Sequence, residues 1–317
     1  MPVKKDKYLE EVMSVMNEQL SFIEGSLIKK FKTPELPVLF VIGVQRSGTT
    51  ILTQALANAY NISYPSNLIA RFWKAPYIGA LLSKSLKVNE EEIQFNSFYG
   101  ATKGINGPHE FSYFWRDWFP GSAENAKPYY LSDEQKVLIN RHFAAWQSVD
   151  HEPLLFKNLL EIIPNIINVN EIFQTAVFVN IIREDFFTIQ STYESRKKYG
   201  GSYDSWFGVK PSNYKDVIRI SDPLLQTVEQ VFYTKLDIAS SLKKLPDEKY
   251  INVYYEDFIS NPGDVLNKIE SKFGLKKWRR RDAGYQNLSL SSGNKIRLKA
   301  EQVEVIKNRL NQLTKGI

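Results

Sequence analysis

The stretch Gly43-Val-Gln-Arg-Ser-Gly-Thr-Thr50 gathers an arginine, a serine and two threonines into one glycine-bounded turn. A short apolar run, Val38 to Ile42, leads into Gly43, and a helical pattern begins at about Thr49. That order points successive backbone N–H groups and a helix N-terminus at one spot, where a phosphate-like anion is stabilised. Gly43 and Gly48 permit the turn, and Gln45, Arg46, Ser47, Gly48, Thr49 and Thr50 are the candidate anion contacts. Loops that grip the terminal phosphates of ATP carry lysine after the second glycine. Here that place is Thr49, and the cation sits inside the loop at Arg46, whose planar fork can hold a phosphate and the group attached to it. The pattern predicts a phosphate grip without a γ-phosphate grip.

Two further segments carry reactive side chains. In Gly107-Pro-His-Glu-Phe111 a turn brings His109 and Glu110 into one place, ahead of the aromatic stretch Tyr113 to Phe119. A carboxylate or an imidazole there can take a proton from a nucleophile, with Glu110 preferred over His109. Lys157 follows the apolar run Leu154 to Phe156 and is a second candidate cation for charge that develops on leaving oxygens. The catalytic candidates are therefore Arg46, Lys157, Glu110 and His109.

These groups need a scaffold, and the apolar runs supply one. Val38 to Ile42, Leu154 to Phe156, Ala176 to Ile182 and Tyr250 to Tyr255 read as strands buried on both faces, separated by segments long enough for crossover helices. Strands alternating with helices predict an α/β fold with a central parallel sheet flanked by helices. Helix starts are signalled at Ser132 with Gln135, at Asp222 before Pro223 and at Asn261 before Pro262, and a last helix at about Leu298 to Leu313. Upstream, Leu9, Val12, Met13, Met16, Leu20, Ile23 and Leu27 recur at helical spacing, which predicts an amphipathic helix whose apolar side packs on the rest of the chain. The organisation read from this is a helical extension over 1–34 and a single domain over 35–317.

Composition narrows the function classes. The chain has 317 residues, 43% hydrophobic and 24% charged, enough for one large core. No apolar run reaches the roughly 18 residues of a membrane-spanning helix, and the polar start lacks a secretory core, so a soluble cytoplasmic protein is expected. There are no cysteines, and His109, His142 and His151 are too scattered for a metal centre. The net charge of +6 suits an anionic ligand, and no nucleic-acid partner is expected.

The pattern Pro-x-x-Phe-Val-Ile-Gly-x-x-Arg-Ser-Gly-Thr-Thr, from Pro37 to Thr50, resembles the 5'-phosphosulfate loop of sulfotransferases that use 3'-phosphoadenosine-5'-phosphosulfate (PAPS), particularly the carbohydrate and bacterial branches. The resemblance implies a P-loop-like sulfotransferase fold and a second anion subsite for the 3'-phosphate. Arg183 at a strand end and Ser191 eight positions on match that subsite, which should stand a nucleotide's width from the loop. Phe156-Lys157-Asn158, Gly201 to Pro211 with Trp206, and Tyr254-Tyr-Glu-Asp257 before Asn261-Pro262 also look like family segments, with Glu256 and Asp257 in structural roles. The family closes a C-terminal loop over the nucleotide, and Ser291-Ser-Gly-Asn-Lys295 holds that place, making Asn294 and Lys295 candidate contacts. The activity implied by the resemblance is sulfuryl transfer from PAPS to a hydroxyl, with the bisphosphate nucleotide PAP as product and no metal. The acceptor expected is a glycan or glycolipid, with Phe72, Trp73, Trp115, Trp118 and Trp206 as a platform for sugar rings and Arg71, Lys74 and Arg116 for acidic groups. A homodimer is compatible with the sequence. The rival readings are an ATP-dependent small-molecule kinase, which the missing lysine opposes, and a nucleotide- or polyanion-binding module without turnover.

Overall fold

The computed structural model describes residues 6–88, 93, 95, 97–98, 101–280 and 290–316. The strands are β1 (Val38–Ile42), β2 (Ser97–Phe98), β3 (Ala101–Thr102), β4 (Leu154–Phe156), β5 (Ala176–Ile182) and β6 (Tyr250–Tyr254). In the first half of the chain the helices are α1 (Lys7–Leu27), α2 (Thr49–Ala59), α3 (Pro76–Ser85), α4 (Ser112–Trp118), α5 (Ser122–Asn125) and α6 (Asp133–Asp150). The second half adds α7 (Ile166–Ile172), α8 (Asp185–Gly200), α9 (Tyr214–Val217), α10 (Pro223–Leu242), α11 (Tyr255–Ser260), α12 (Pro262–Phe273) and α13 (Ala300–Lys315).

All four predicted strands form, and they make one parallel sheet in the order β4-β1-β5-β6, with β2 and β3 a separate antiparallel pair. Val38 lies in register with both Leu154 and Ala176, and Ile182 with Tyr254. Side chains alternate across the sheet, so each strand feeds two cores. Val38, Phe40, Ile42, Phe156 and Phe178 enter one; Leu39, Val41, Leu155 and Val179 enter the other. This is why β1 reads as an unbroken apolar run and not as an alternation. The first core is aromatic: Phe40 sits 5.5 Å from Phe178, 5.7 Å from Phe156 and 5.8 Å from Trp115 between ring centroids. Truncating such a phenylalanine to alanine costs about 3–5 kcal/mol.

The three helix-start signals cap as their residue types dictate. Ser132 and Gln135 form a reciprocal capping box, Asp222 accepts from the N–H groups of Leu224 and Leu225, and Asn261 from that of Asp264. Among the described residues no helix is long and apolar enough to cross a membrane.

The first helix forms where the spacing places it, but it docks by only part of the expected face: Met13 packs on the core, and Met16 and Leu20 are half-buried. Asn17 and Glu24 are fully buried, whereas Leu9, Val12, Ile23 and Leu27 are exposed. Asn17 donates to the Arg71 carbonyl and accepts from the Lys74 N–H; Glu24 accepts from the N–H groups of Tyr77 and Ile78 and meets His142 Nδ1 at 2.8 Å. The reason is local. What the domain presents to α1 is backbone polar groups at 71–74 and the first-turn amides of α3, which polar side chains satisfy and leucines do not.

Candidate active site

Because the sheet is parallel, the ends of its strands share one edge, with neighbours about 4.8 Å apart. The residue after each strand stands there: Gly43 after β1, Lys157 after β4, Arg183 after β5 and Tyr255 after β6. The chain winds from β1 out to β4 and then back across to β5, so this edge is also where the winding reverses and a crevice opens.

The loop after β1 is built on unusual backbone. Gly48 adopts φ +107° and Arg46 φ 70°, a region that costs a residue with a side chain about 1–3 kcal/mol. A Cβ on Gly48 would lie 2.6 Å from the Tyr255 ring, and one on Gly43 2.5 Å from the Ile181 carbonyl oxygen. Glycine is therefore required by the close packing of the loop on its neighbours as well as by φ. Among the described residues no side chain caps the N-terminus of α2. Ser47 Oγ and Gln45 Nε2 are buried with no hydrogen-bond partner among the described residues, while Gln45 Oε1 accepts from the Val209 N–H at 3.3 Å. Thr49 is buried in the first turn of α2. Val44, Ser47, Arg183, Thr188 and Lys235 contribute to the lining of a small pocket between the loop, β5, α8 and α10.

Arg46 and Arg183, expected in separate subsites, join in one patch. Arg46 Nε donates to Ser191 Oγ at 3.0 Å, and Arg183 Nη1 donates to the Arg46 carbonyl at 2.9 Å. Adjacency of β1 and β5 explains the difference, since their ends are one strand spacing apart. Burial pulls the Arg183 guanidinium below the usual arginine value; Tyr255 opposes this and Arg46, a like charge, adds to it. The C-terminal loop arrives at the same place. Asn294 accepts from Arg183 Nε at 2.8 Å and donates to Glu256 at 2.9 Å, and the Lys295 carbonyl accepts from Gln190 at 2.8 Å.

On the other side of the loop, Lys157 is almost wholly buried and its Nζ reaches both Thr50 Oγ1 at 3.0 Å and Glu110 Oε1 at 2.9 Å. Glu110 thus stands one lysine away from the anion loop, with its side chain 40% exposed. Its backbone is held as well, by Asn158 on the Glu110 carbonyl at 3.2 Å and by the His109 N–H on the Pro65 carbonyl at 2.7 Å. His109 differs: its Nδ1 accepts from the Phe111 N–H at 2.9 Å, so that lone pair is engaged and Nε2 carries the proton of the neutral ring.

Four contributors were not singled out as site residues, although Asn158 and Tyr255 lie in segments that resemble the family's. Tyr255 lies under Arg183, 4.6 Å from ring to guanidinium, and its hydroxyl accepts from the Gly293 N–H; occupying the same strand-end place as Gly43, Lys157 and Arg183 was its available signal. Asn158 and Gln190 are ordinary amides in sequence. Glu161 is the one charge in Leu159-Leu-Glu-Ile-Ile163 and is only 1% exposed, with Arg116 Nε 3.4 Å from its Oε1. Burial raises its pKa above the usual carboxylate value.

The expected aromatic platform does not assemble as such. Trp115 and Trp73 belong to the core, at 0% and 9% exposure, because the sheet face next to them is itself aromatic. Arg71 and Lys74 are engaged by Glu10 and Glu18 of α1, and Arg116 by Glu161. Trp206 lies against the buried Arg196 guanidinium.

A parallel sheet whose strand ends unite a phosphate-type loop, two arginines and a lysine-held carboxylate defines an α/β group-transfer protein for an anionic donor. Residues 37–280 match the model of the sulfotransferase family, and the chain belongs to that family. Among solved structures it is similar to the sulfotransferase STF1 from Mycobacterium tuberculosis H37Rv, at 15% identity over 93% of this chain and 81% of that one, with a TM-score of 0.53. It is similar also to the sulfotransferase STF9 from Mycobacterium avium, at 14% identity over 88% and 69% of the two chains, with a TM-score of 0.52. At such identities the likeness is one of fold. No curated protein sequence matches the chain.

Proposed function

We propose that this sulfotransferase transfers the sulfuryl group of PAPS to a hydroxyl of a carbohydrate or glycolipid acceptor and releases PAP. The observation that carries the reading is the patch of Arg46, Arg183 and Ser191 beside the uncapped N-terminus of α2. A nucleotide with two anionic ends fits it: the Arg183 guanidinium holds the main-chain carbonyl of Arg46, so both arginines stand at the loop, and the buried Ser47 hydroxyl has no protein partner among the described residues. The loop residues 45–50 would hold the phosphosulfate end, and Arg183, Ser191, Asn294 and Lys295 the 3'-phosphate. The donor, when bound, supplies the sulfuryl group and departs as the bisphosphate.

The protein's share is positioning and charge. Arg46 neutralises charge on the leaving side. Lys157 spans the loop and Glu110, so it serves the transferred group while it aims the carboxylate. Glu110 accepts the proton of the attacking hydroxyl, in preference to His109, whose Nδ1 is already occupied. Without a triphosphate to neutralise, the reaction needs no metal. The acceptor would approach on the Glu110 side, in a cytoplasmic protein whose catalytic unit is 35–317. The deciding experiment is calorimetric titration with adenosine 3',5'-bisphosphate, with ATP as the control. Saturable binding of the bisphosphate is expected; binding of Mg-ATP with none of the bisphosphate would overturn the reading.

A further inference from the structure

Helix α4 begins two residues after Glu110, and little in its own sequence fixes it. It has seven residues, Phe111 at its start adopts φ 56°, and among the described residues no side chain caps its first turn. A helix this short is marginal by itself, so its placement is decided by what packs on it. Phe114 and Trp115 seat one side on the core. Another side meets α1, from which three carboxylates reach it. Glu10 accepts from the Tyr113 hydroxyl at 2.7 Å and holds Arg71 at 3.1 Å. Glu18 pairs with Lys74, whose Nζ lies 4.0 Å from Asp117. Glu24 meets His142 Nδ1 at 2.8 Å, and the Trp118 ring lies 6.0 Å from that imidazole between centroids. Tyr113 and Asp117 are one helical turn apart, so α1 holds α4 along its length.

The first of these contacts bears most directly on the candidate base. Tyr113 stands three residues from Glu110, in the first turn of α4, and its ring packs on Trp73 at 4.9 Å between centroids. Before that turn the chain is held by the His109 N–H on the Pro65 carbonyl and by Asn158 on the Glu110 carbonyl. After it, the directional tie is the Tyr113 hydroxyl on Glu10, whose side chain is only 23% exposed. A hydrogen bond to a charged oxygen fixes direction, which apolar packing alone leaves loose. We propose that Glu10, on the helical extension outside 35–317, is a positioning residue for Glu110, acting through the Tyr113 hydroxyl and the first turn of α4. A carboxylate displaced by about 1 Å loses its aim at an attacking hydroxyl. The donor patch is spared, because Arg46 and Arg183 are braced by Ser191 and Asn294 on other elements. The kinetic consequence rests on Glu110 as the base of the proposed reaction; the placement of its segment does not.

The chain has no cysteine, so Glu110→Cys takes a single nitroxide spin label that reports the mobility of this segment directly. Its paramagnetic resonance spectrum should narrow when Glu10→Ala or Tyr113→Phe is added, and stay as it was with Glu10→Gln, whose amide oxygen still accepts from the hydroxyl. A label at Ser292→Cys, on the C-terminal loop, should register none of the three. Asn17 and Glu24 keep α1 docked in every variant. In the unlabelled chain, Glu10→Ala and Tyr113→Phe should each lower PAP release from PAPS, with lactose as acceptor, about tenfold at unchanged bisphosphate affinity. In a Glu110→Gln background they should lower it no further, since they act through that carboxylate. A label at 110 that neither change loosens, or one loosened equally at 292, would overturn the proposal whatever the base is. So would a tenfold loss that persists on top of an already slow Glu110→Gln. If Glu110→Gln alone turns over normally while the label at 110 still follows Glu10, the assignment of the base fails and the positioning stands.

Discussion

The anion loop and the segment around Glu110 touch the same lysine, yet they are held by different means. The loop is local. Its turn, its glycines and the start of the helix that continues from it lie within eight residues, Gly43 to Thr50, and Gly43 and Gly48 pack closely on β5 and Tyr255. The Glu110 side is assembled at a distance: Lys157 comes from the end of β4, Asn158 from the turn after it, and Pro65 from the segment beyond α2. It also contains a buried carboxylate, Glu161, whose close cation is the half-exposed Arg116. The lesson is that the anion loop takes its shape from backbone within one segment, whereas the surroundings of Glu110 rest on side chains drawn from distant segments.

Changes on the two sides should therefore have different signatures. The largest effect is expected for Arg46→Ala, which removes the proposed leaving-side cation: turnover with PAPS should fall about 10³-fold and bisphosphate affinity should fall as well. Initial rates combined with calorimetry measure both, and an unchanged affinity would detach Arg46 from the donor patch. Glu110→Gln should lower turnover about 10²-fold with bisphosphate affinity intact, because the proposed role of Glu110 is confined to the attacking side. Near-normal turnover would remove Glu110 as the base and blur the contrast between the two sides.

The smallest effect concerns stability. The raised pKa of Glu161 means that the folded chain keeps a proton the unfolded chain has lost. Its contribution is therefore complete below the ordinary carboxylate value and is lost as pH rises through the folded value. Glu161→Gln should raise the thermal midpoint by a few degrees at pH 8 and by progressively less towards pH 4. A midpoint shift that is the same at both ends would show that burial of this charge carries no cost.

How much was legible differs residue by residue. Val38 to Thr50 could be read in full, since a run buried on both faces and a glycine-bounded turn are statements about adjacent residues. Lys157 and Arg183 were legible as strand-end cations, but not their partners. That Arg46 would reach Ser191, 145 positions away, depended on β1 and β5 being neighbours. Trp115 read as a sugar platform and proved to be core, because its role is set by Phe40 and Phe156 on other elements.

The N-terminal helix shows the same division at its sharpest. Periodicity alone determined that residues 7–27 would be helical and amphipathic, as it determined the four strands and the capped starts of α6, α10 and α12, because each depends on contacts within a few residues. Which side of that helix turned inward was decided by the backbone amides of α3 and the groups at 71–74, more than fifty residues on. Local order comes from local spacing; the choice between two faces is made by whichever unsatisfied groups the rest of the fold brings to meet them.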